Sequence, residues 1–121
     1  RNGDEAGCAA AGREMVAAHE SYRDECRLSV PEVDALVEAV RRIGPRKGLY
    51  GAKITGGGAG GTVAVFGRRE ALKKHIPGIA AEHARRMGAA PDVFGGTSPG
   101  AFEFGARRYA PRAGGWTWQA I

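Results

Sequence analysis

Between two stretches of β-forming residues, Leu49 to Thr55 and Thr62 to Phe66, this chain places Gly56, Gly57, Gly58, Ala59, Gly60 and Gly61. A loop of that composition can lay bare backbone N–H groups against a phosphate, because no Cβ blocks the approach and φ > 0 carries no penalty. As a plain hairpin connection it would be wasteful, since each glycine adds backbone entropy that folding must remove. The enrichment is local. Of the 20 glycines, eight fall between Gly48 and Gly67, so the excess over the usual share of about 7% is not low complexity.

The flanking sequence predicts helices before and after the two strands. Ala11, Met15, Ala18 and Tyr22 share one face of a helix over Ala9 to Tyr22, and the charged stretch Arg23 to Leu28 breaks the pattern. Ser29, Pro31 and Glu32 match a capping box with proline in the first turn. The helix they open carries Val33, Leu36, Val37 and Val40 on one side and ends at Gly44-Pro45. Arg68 to His75 begins a third helix that Pro77 must kink or restart, with Ile79, Ala80, His83, Ala84 and Met87 extending its stripe to Gly88. Asp92 to Phe94 reads as a short strand, Gly95 to Gly100 as a loop and Phe102 to Tyr109 as a last strand. The division expected is a domain over residues 1–109 and a tail over 110–121 that holds Trp116 and Trp118. The order predicts an α+β fold, with helices on one face of a small antiparallel sheet.

Composition excludes more than it selects. With 121 residues, 43% apolar and 26% charged, the chain is one soluble globular domain's worth. The formal charge of +5 is spread as pairs such as Arg41-Arg42, Arg68-Arg69 and Arg107-Arg108, and only 7% of residues are aromatic, so no nucleic-acid partner is expected. No apolar run approaches the ~18 residues that span a membrane. Cys8 and Cys26 make no disulfide framework, which suits reduced thiols and a cytoplasmic setting.

Two familiar phosphate motifs fail. The glycines formally satisfy GxGxxG, but a dinucleotide fingerprint needs a helix after the loop, and Thr62 to Phe66 opens a strand. A P-loop needs Gly-Lys-Ser/Thr to close the run, which is absent.

The whole segment from Gly51 through Lys53, Thr55 and the glycines to Val63 instead resembles the third signature motif of the GHMP kinases. Upstream, His19 to Tyr22 and Ser29 to Val37 are similar to the segment that precedes that motif in galactokinase-like members. Downstream, Phe94 to Ala101 with Phe104-Gly105 is similar to the C-terminal segment of plant-type L-arabinokinases, and Leu49-Tyr50 points the same way. The likeness covers roughly residues 12 to 109.

The resemblance implies a ferredoxin-like two-layer sandwich, the C-terminal domain that closes the kinase cleft. Its first strand is expected to be missing, because Arg1 to Ala10 hold no good strand. An open sheet edge would then invite pairing or a homodimer. It implies phosphoryl transfer from ATP with Mg2+ to a monosaccharide such as L-arabinose or galactose, with rate coming from positioning and electrostatics. Thr55, Gly56, Gly57, Gly58, Ala59, Gly60 and Gly61 are the cofactor-binding positions carried over. No catalytic or metal-binding residue is carried over, since those belong to the family's N-terminal domain, the expected partner in the same or a separate chain. A stand-alone, non-catalytic module that binds an anionic ligand or a partner protein is the alternative. Among other residues, His19 reads as a structural helix histidine rather than a metal ligand, and His75 with His83 as unrelated to one site. Asp34 reads as a surface residue, with a cleft role as the alternative, Lys53 as an ordinary exposed strand lysine or one near a phosphate, and Ser98 as a turn or cleft residue.

Overall fold

The computed structural model describes residues 4–96, 103 and 105–120. Helix α1 (Glu5–Asp24) starts where the Asp4 carboxylate accepts from the Ala6 and Gly7 amides, both at 3.1 Å. This N-cap moves the start ahead of Ala9, where the apolar pattern alone puts it. Helix α2 (Pro31–Ile43) begins with Val30 as its N-cap residue, and Pro31 occupies the first turn. No side chain caps it: the Ser29 hydroxyl donates to Asp34 Oδ1 instead, so the expected capping box does not form. Gly44, at φ 74°, ends the helix.

Strands β1 (Leu49–Thr55) and β2 (Thr62–Gly67) pair antiparallel from Leu49↔Gly67 to Thr55↔Thr62, with a register shift at Tyr50. Ala52↔Val65 and Ile54↔Val63 are paired across the ladder. Val37, Ala39 and Val40 of α2, Leu49 and Ala52 of β1, and Ala71 and Ile79 of helix α3 (Arg69–Met87) form the core, with Val63 and Val65 packed against it. Val33, Val37 and Val40, three of the four positions the periodicity assigned, are buried, and Leu36 is half-buried against the core. These layers make the α+β two-layer arrangement expected from the element order.

Helix α3 runs through Pro77 without a restart, so of the two outcomes expected there, a kink or a restart, the second does not occur. Proline there withholds an N–H and crowds the preceding turn, but Pro77 is exposed, and Ile76 and Ile79 on either side hold the helix to the core. An Arg42–Glu82 ion pair of 3.0 Å joins α2 to α3.

Helix α1 packs closely on β1. A Cβ added to Gly12 would lie 2.1 Å from the Tyr50 carbonyl oxygen, so only glycine allows this approach. At the other end of the contact, His19 Nδ1 accepts from the Ile54 amide at 3.3 Å. That amide lies on the side of β1 away from β2, and His19 satisfies it there while the α1 backbone packs against Gly51. Among the described residues β2 pairs only with β1, so the edge left open is that of β2.

Beyond α3 the chain departs from expectation. Asp92 to Phe94 is irregular and forms no strand, with Phe94 88% exposed; among the described residues no strand pairs with it. Phe102 and Phe104, placed by sequence in a last strand, lie outside the described residues. Strand β3 (Arg107–Arg112) pairs with β4 (Gly115–Ala120) across a two-residue turn at Ala113-Gly114. The stretch read as a tail is thus hairpin from its start, held by Tyr109 stacked with Trp116 and tilted against Trp118. Both cysteines are free, and no helix among the described residues is long and apolar enough to cross a membrane.

Candidate functional site

The candidate residues form one continuous turn. Thr55 ends β1, pairs with Thr62 across the mouth of the hairpin and is exposed; Gly56 to Gly61 make the turn. Gly56 and Gly58 lie at φ 83°, Ala59 at 57°, Gly60 at 100° and Gly61 at 106°. Turns of this kind can present backbone N–H groups to an anion. Ala59 alone carries a Cβ in this region, at a cost of about 1 kcal/mol.

Gly57 differs from its neighbours. Its φ lies outside the left-handed region, and a Cβ added there would meet nothing within 4 Å. Neither conformation nor packing inside the chain asks for glycine at this position. Gly58 has an internal reason: its Cβ would stand 2.7 Å from Leu28 Cβ and 2.8 Å from the Leu28 carbonyl oxygen.

The loop touches the link between α1 and α2. The Ala59 amide donates to the Leu28 carbonyl at 2.7 Å, and the Leu28 amide donates to the Tyr22 carbonyl at 2.9 Å. Ser29 follows with its bond to Asp34, whose Oδ1 lies 3.1 Å from His19 Nε2. That approach is off the line of a full hydrogen bond, so the pair is an electrostatic contact. Because His19 Nδ1 accepts from Ile54, the neutral ring carries its proton on Nε2, facing the carboxylate.

His19 is therefore structural, as the sequence suggested, at 2% exposure. Asp34, expected on the surface, is half-buried and bound on two sides. Leu28, Ser29 and Asp34 were missed as loop supports. The Ser-x-x-Glu spacing pointed to a helix cap and hid the bond of Ser29 to Asp34. Lys53 sits half-buried in β1 two residues before Thr55. His75 and His83 lie on α3 away from the loop, and Ser98 is outside the described residues.

Ionisation is perturbed elsewhere. The Asp24 carboxyl is held below its ordinary range by hydrogen bonds from Arg23, whose own value rises for the same reason. Burial, and then a 2.8 Å hydrogen bond to Glu5, pushes the Tyr50 phenol up. The glycine loop carries no ionisable group, so what it offers a ligand is backbone dipole rather than formal charge.

Comparison with known proteins shows the family of the chain. The family model "GHMP kinases C terminal" matches residues 7–85. An L-arabinokinase of Arabidopsis thaliana is 40% identical over 101 residues, covering 78% of this chain and 10% of the relative. A human galactokinase is 38% identical over 87 residues, 72% of this chain and 19% of the relative. A galactokinase of Mannheimia succiniciproducens is 32% identical over 83 residues, 69% of this chain and 21% of the relative. The chain thus spans between 10% and 21% of the length of these relatives.

Proposed function

The chain belongs to the GHMP kinase family through its C-terminal domain, and on that premise we propose that it contributes the glycine-rich wall of an ATP and sugar cleft. The reaction proposed is phosphoryl transfer from ATP to a hydroxyl of a monosaccharide such as L-arabinose or galactose. Gly57 carries this reading. Neither backbone conformation nor packing requires glycine there, which leaves the turn open to something that approaches from outside, and the adjacent glycines suit an anionic approach.

Thr55, Gly56, Gly57, Gly58, Gly60 and Gly61 would hold the phosphates through backbone amides, excluding water and orienting the transferred group, while Ala59, its amide given to Leu28, would keep the loop in place. Among the described residues no cluster of three His, Cys, Asp or Glu is placed to hold a metal ion, so Mg2+ would be held by carboxylates outside them. The acid acting on the sugar hydroxyl and the main ATP loop would come from an N-terminal kinase domain, in the same or a separate chain. The open edge of β2 would take a strand from that domain or from a second copy, and the cytoplasm, with its ATP, is the proposed location.

The test is enzymatic. The purified 121 residues should form no ADP with Mg·ATP and either sugar. In the complete kinase containing this domain, Gly57→Val should raise KM for ATP at least tenfold without lowering the melting temperature. Sugar-dependent ADP formation by the chain alone would overturn the assignment of the chemistry to another domain. An unchanged KM in Gly57→Val would overturn the placement of the loop at the nucleotide.

A further inference from the structure

We propose that the link between α1 and α2, residues 25–30, is a positioning element for the glycine loop, latched in place by His19, Ser29 and Asp34. The inference rests on the loop's role proposed above, and it assigns work to residues well removed from the loop in sequence. The geometry closes a ring. Ile54, one residue before Thr55, is held by His19; His19 faces Asp34; Asp34 takes the Ser29 hydroxyl; and the preceding residue, Leu28, holds the Ala59 amide in mid-loop. The loop is thereby tied at its start and at its middle to one cluster.

Backbone conformation singles out the same place. Arg27 and Ala59 are the non-glycine residues with positive φ among those described, both at 57°, and they stand on either side of the Ala59–Leu28 hydrogen bond. Strain kept at two facing positions is retained only where the surroundings over-determine it, and such sites collect around ligand clamps. The physical benefit is pre-organisation. A free loop with five glycines would have to be ordered by its ligand, whereas a loop pinned at Ala59 presents its amides already fixed. His19, Ser29 and Asp34 are positioning residues, since they act through Ile54 and Leu28 and not on a substrate.

Amide hydrogen exchange on the purified chain tests this without nucleotide. Ser29→Ala removes one half-buried hydroxyl, leaving every core side chain in place. It should speed exchange at Ala59 at least fivefold and shift the amide resonances of Gly56 to Gly61, while Val40 and Ile79 keep their rates. Asp34→Asn should do the same and also speed Ile54. His19→Asn keeps an acceptor on the Nδ1 side, so it should preserve Ile54 protection better than His19→Ala. Unchanged Ala59 exchange in both Ser29→Ala and Asp34→Asn would overturn the proposal. So would a uniform rise at Ala59, Ile54, Val40 and Ile79, which is the mark of a merely structural role. Because no ATP enters the measurement, a latch that releases in this way stands even if the kinase assays fail.

Discussion

Two hairpins in this chain solve the same problem in opposite ways. β1–β2 joins its strands through six residues, most of them glycine, and takes its order from outside: α2 and α3 bury one face, α1 packs against β1, and the α1–α2 link pins the turn. β3–β4 turns in two residues, with Gly114 at φ 88°, and is held by its own Tyr109, Trp116 and Trp118, which stay 53–62% exposed. A tight turn and cross-strand aromatics can specify a hairpin locally. A long glycine loop cannot, so its shape has to be imposed by neighbours. That dependence suits a loop whose amides must meet a ligand at fixed positions.

The contrast can be broken. The largest effect is expected at Gly12, where alanine would drive a methyl group to within 2.1 Å of the Tyr50 carbonyl. Urea unfolding followed by helical circular dichroism should show a loss of about 3 kcal/mol, the upper range for overpacking. Both tryptophans lie in β4, so tryptophan fluorescence reports only the second hairpin. It should not follow the first transition. Coincident fluorescence and dichroism curves would show that the two hairpins are one cooperative unit, and the comparison would fail.

Trp118→Ala should cost the second hairpin about 1 kcal/mol through lost aromatic contact, read as broadened amide signals over residues 107–120 with the helical melting temperature unchanged. Arg27→Gly removes a left-handed strain of about 1 kcal/mol at the α1–α2 link. Glycine's greater entropy in the unfolded chain offsets part of it, leaving a stabilisation of a few tenths of a kcal/mol. A destabilised Arg27→Gly would mean that the side chain, not the backbone, holds the link.

The smallest effect concerns the Arg42–Glu82 pair, which ties α2 to α3 behind the first hairpin. The Glu82 carboxyl lies below its ordinary value because it accepts a hydrogen bond from Arg42 and sits beside that charge. A depressed carboxyl stabilises the fold above its unfolded value of about 4.3 and loses that contribution as pH falls through the lower folded value. The melting-temperature difference between the native chain and Arg42→Gln should therefore be small at pH 7 and shrink as pH falls through the lowered folded value. A difference that persists in acid would assign the effect to packing of the arginine stem.

Periodic apolar positions carried the fold a long way. The α2 stripe could be read directly, because burial on one face leaves a period in the sequence, and the two strands of the first hairpin from their residue types. Asp4 as a cap and the continuous α3 could not, since each turns on whether a polar group finds a partner or water in space. Asp92 to Phe94 shows the same limit from the other side: Val93 and Phe94 have β propensity but form no strand where none of the described residues offers a ladder.

For the candidate site, the sequence by itself determined the glycine loop, its place between two strands and the family to which its motif belongs, because φ > 0 and bare backbone are written in residue type. Only the tertiary structure decided that Gly57 is free of internal demands, that Leu28 holds Ala59, and that His19 and Asp34 support the loop's start. Those are relations between residues up to 35 positions apart, set by how α1 lies on β1. No local pattern in the chain encodes such a distance.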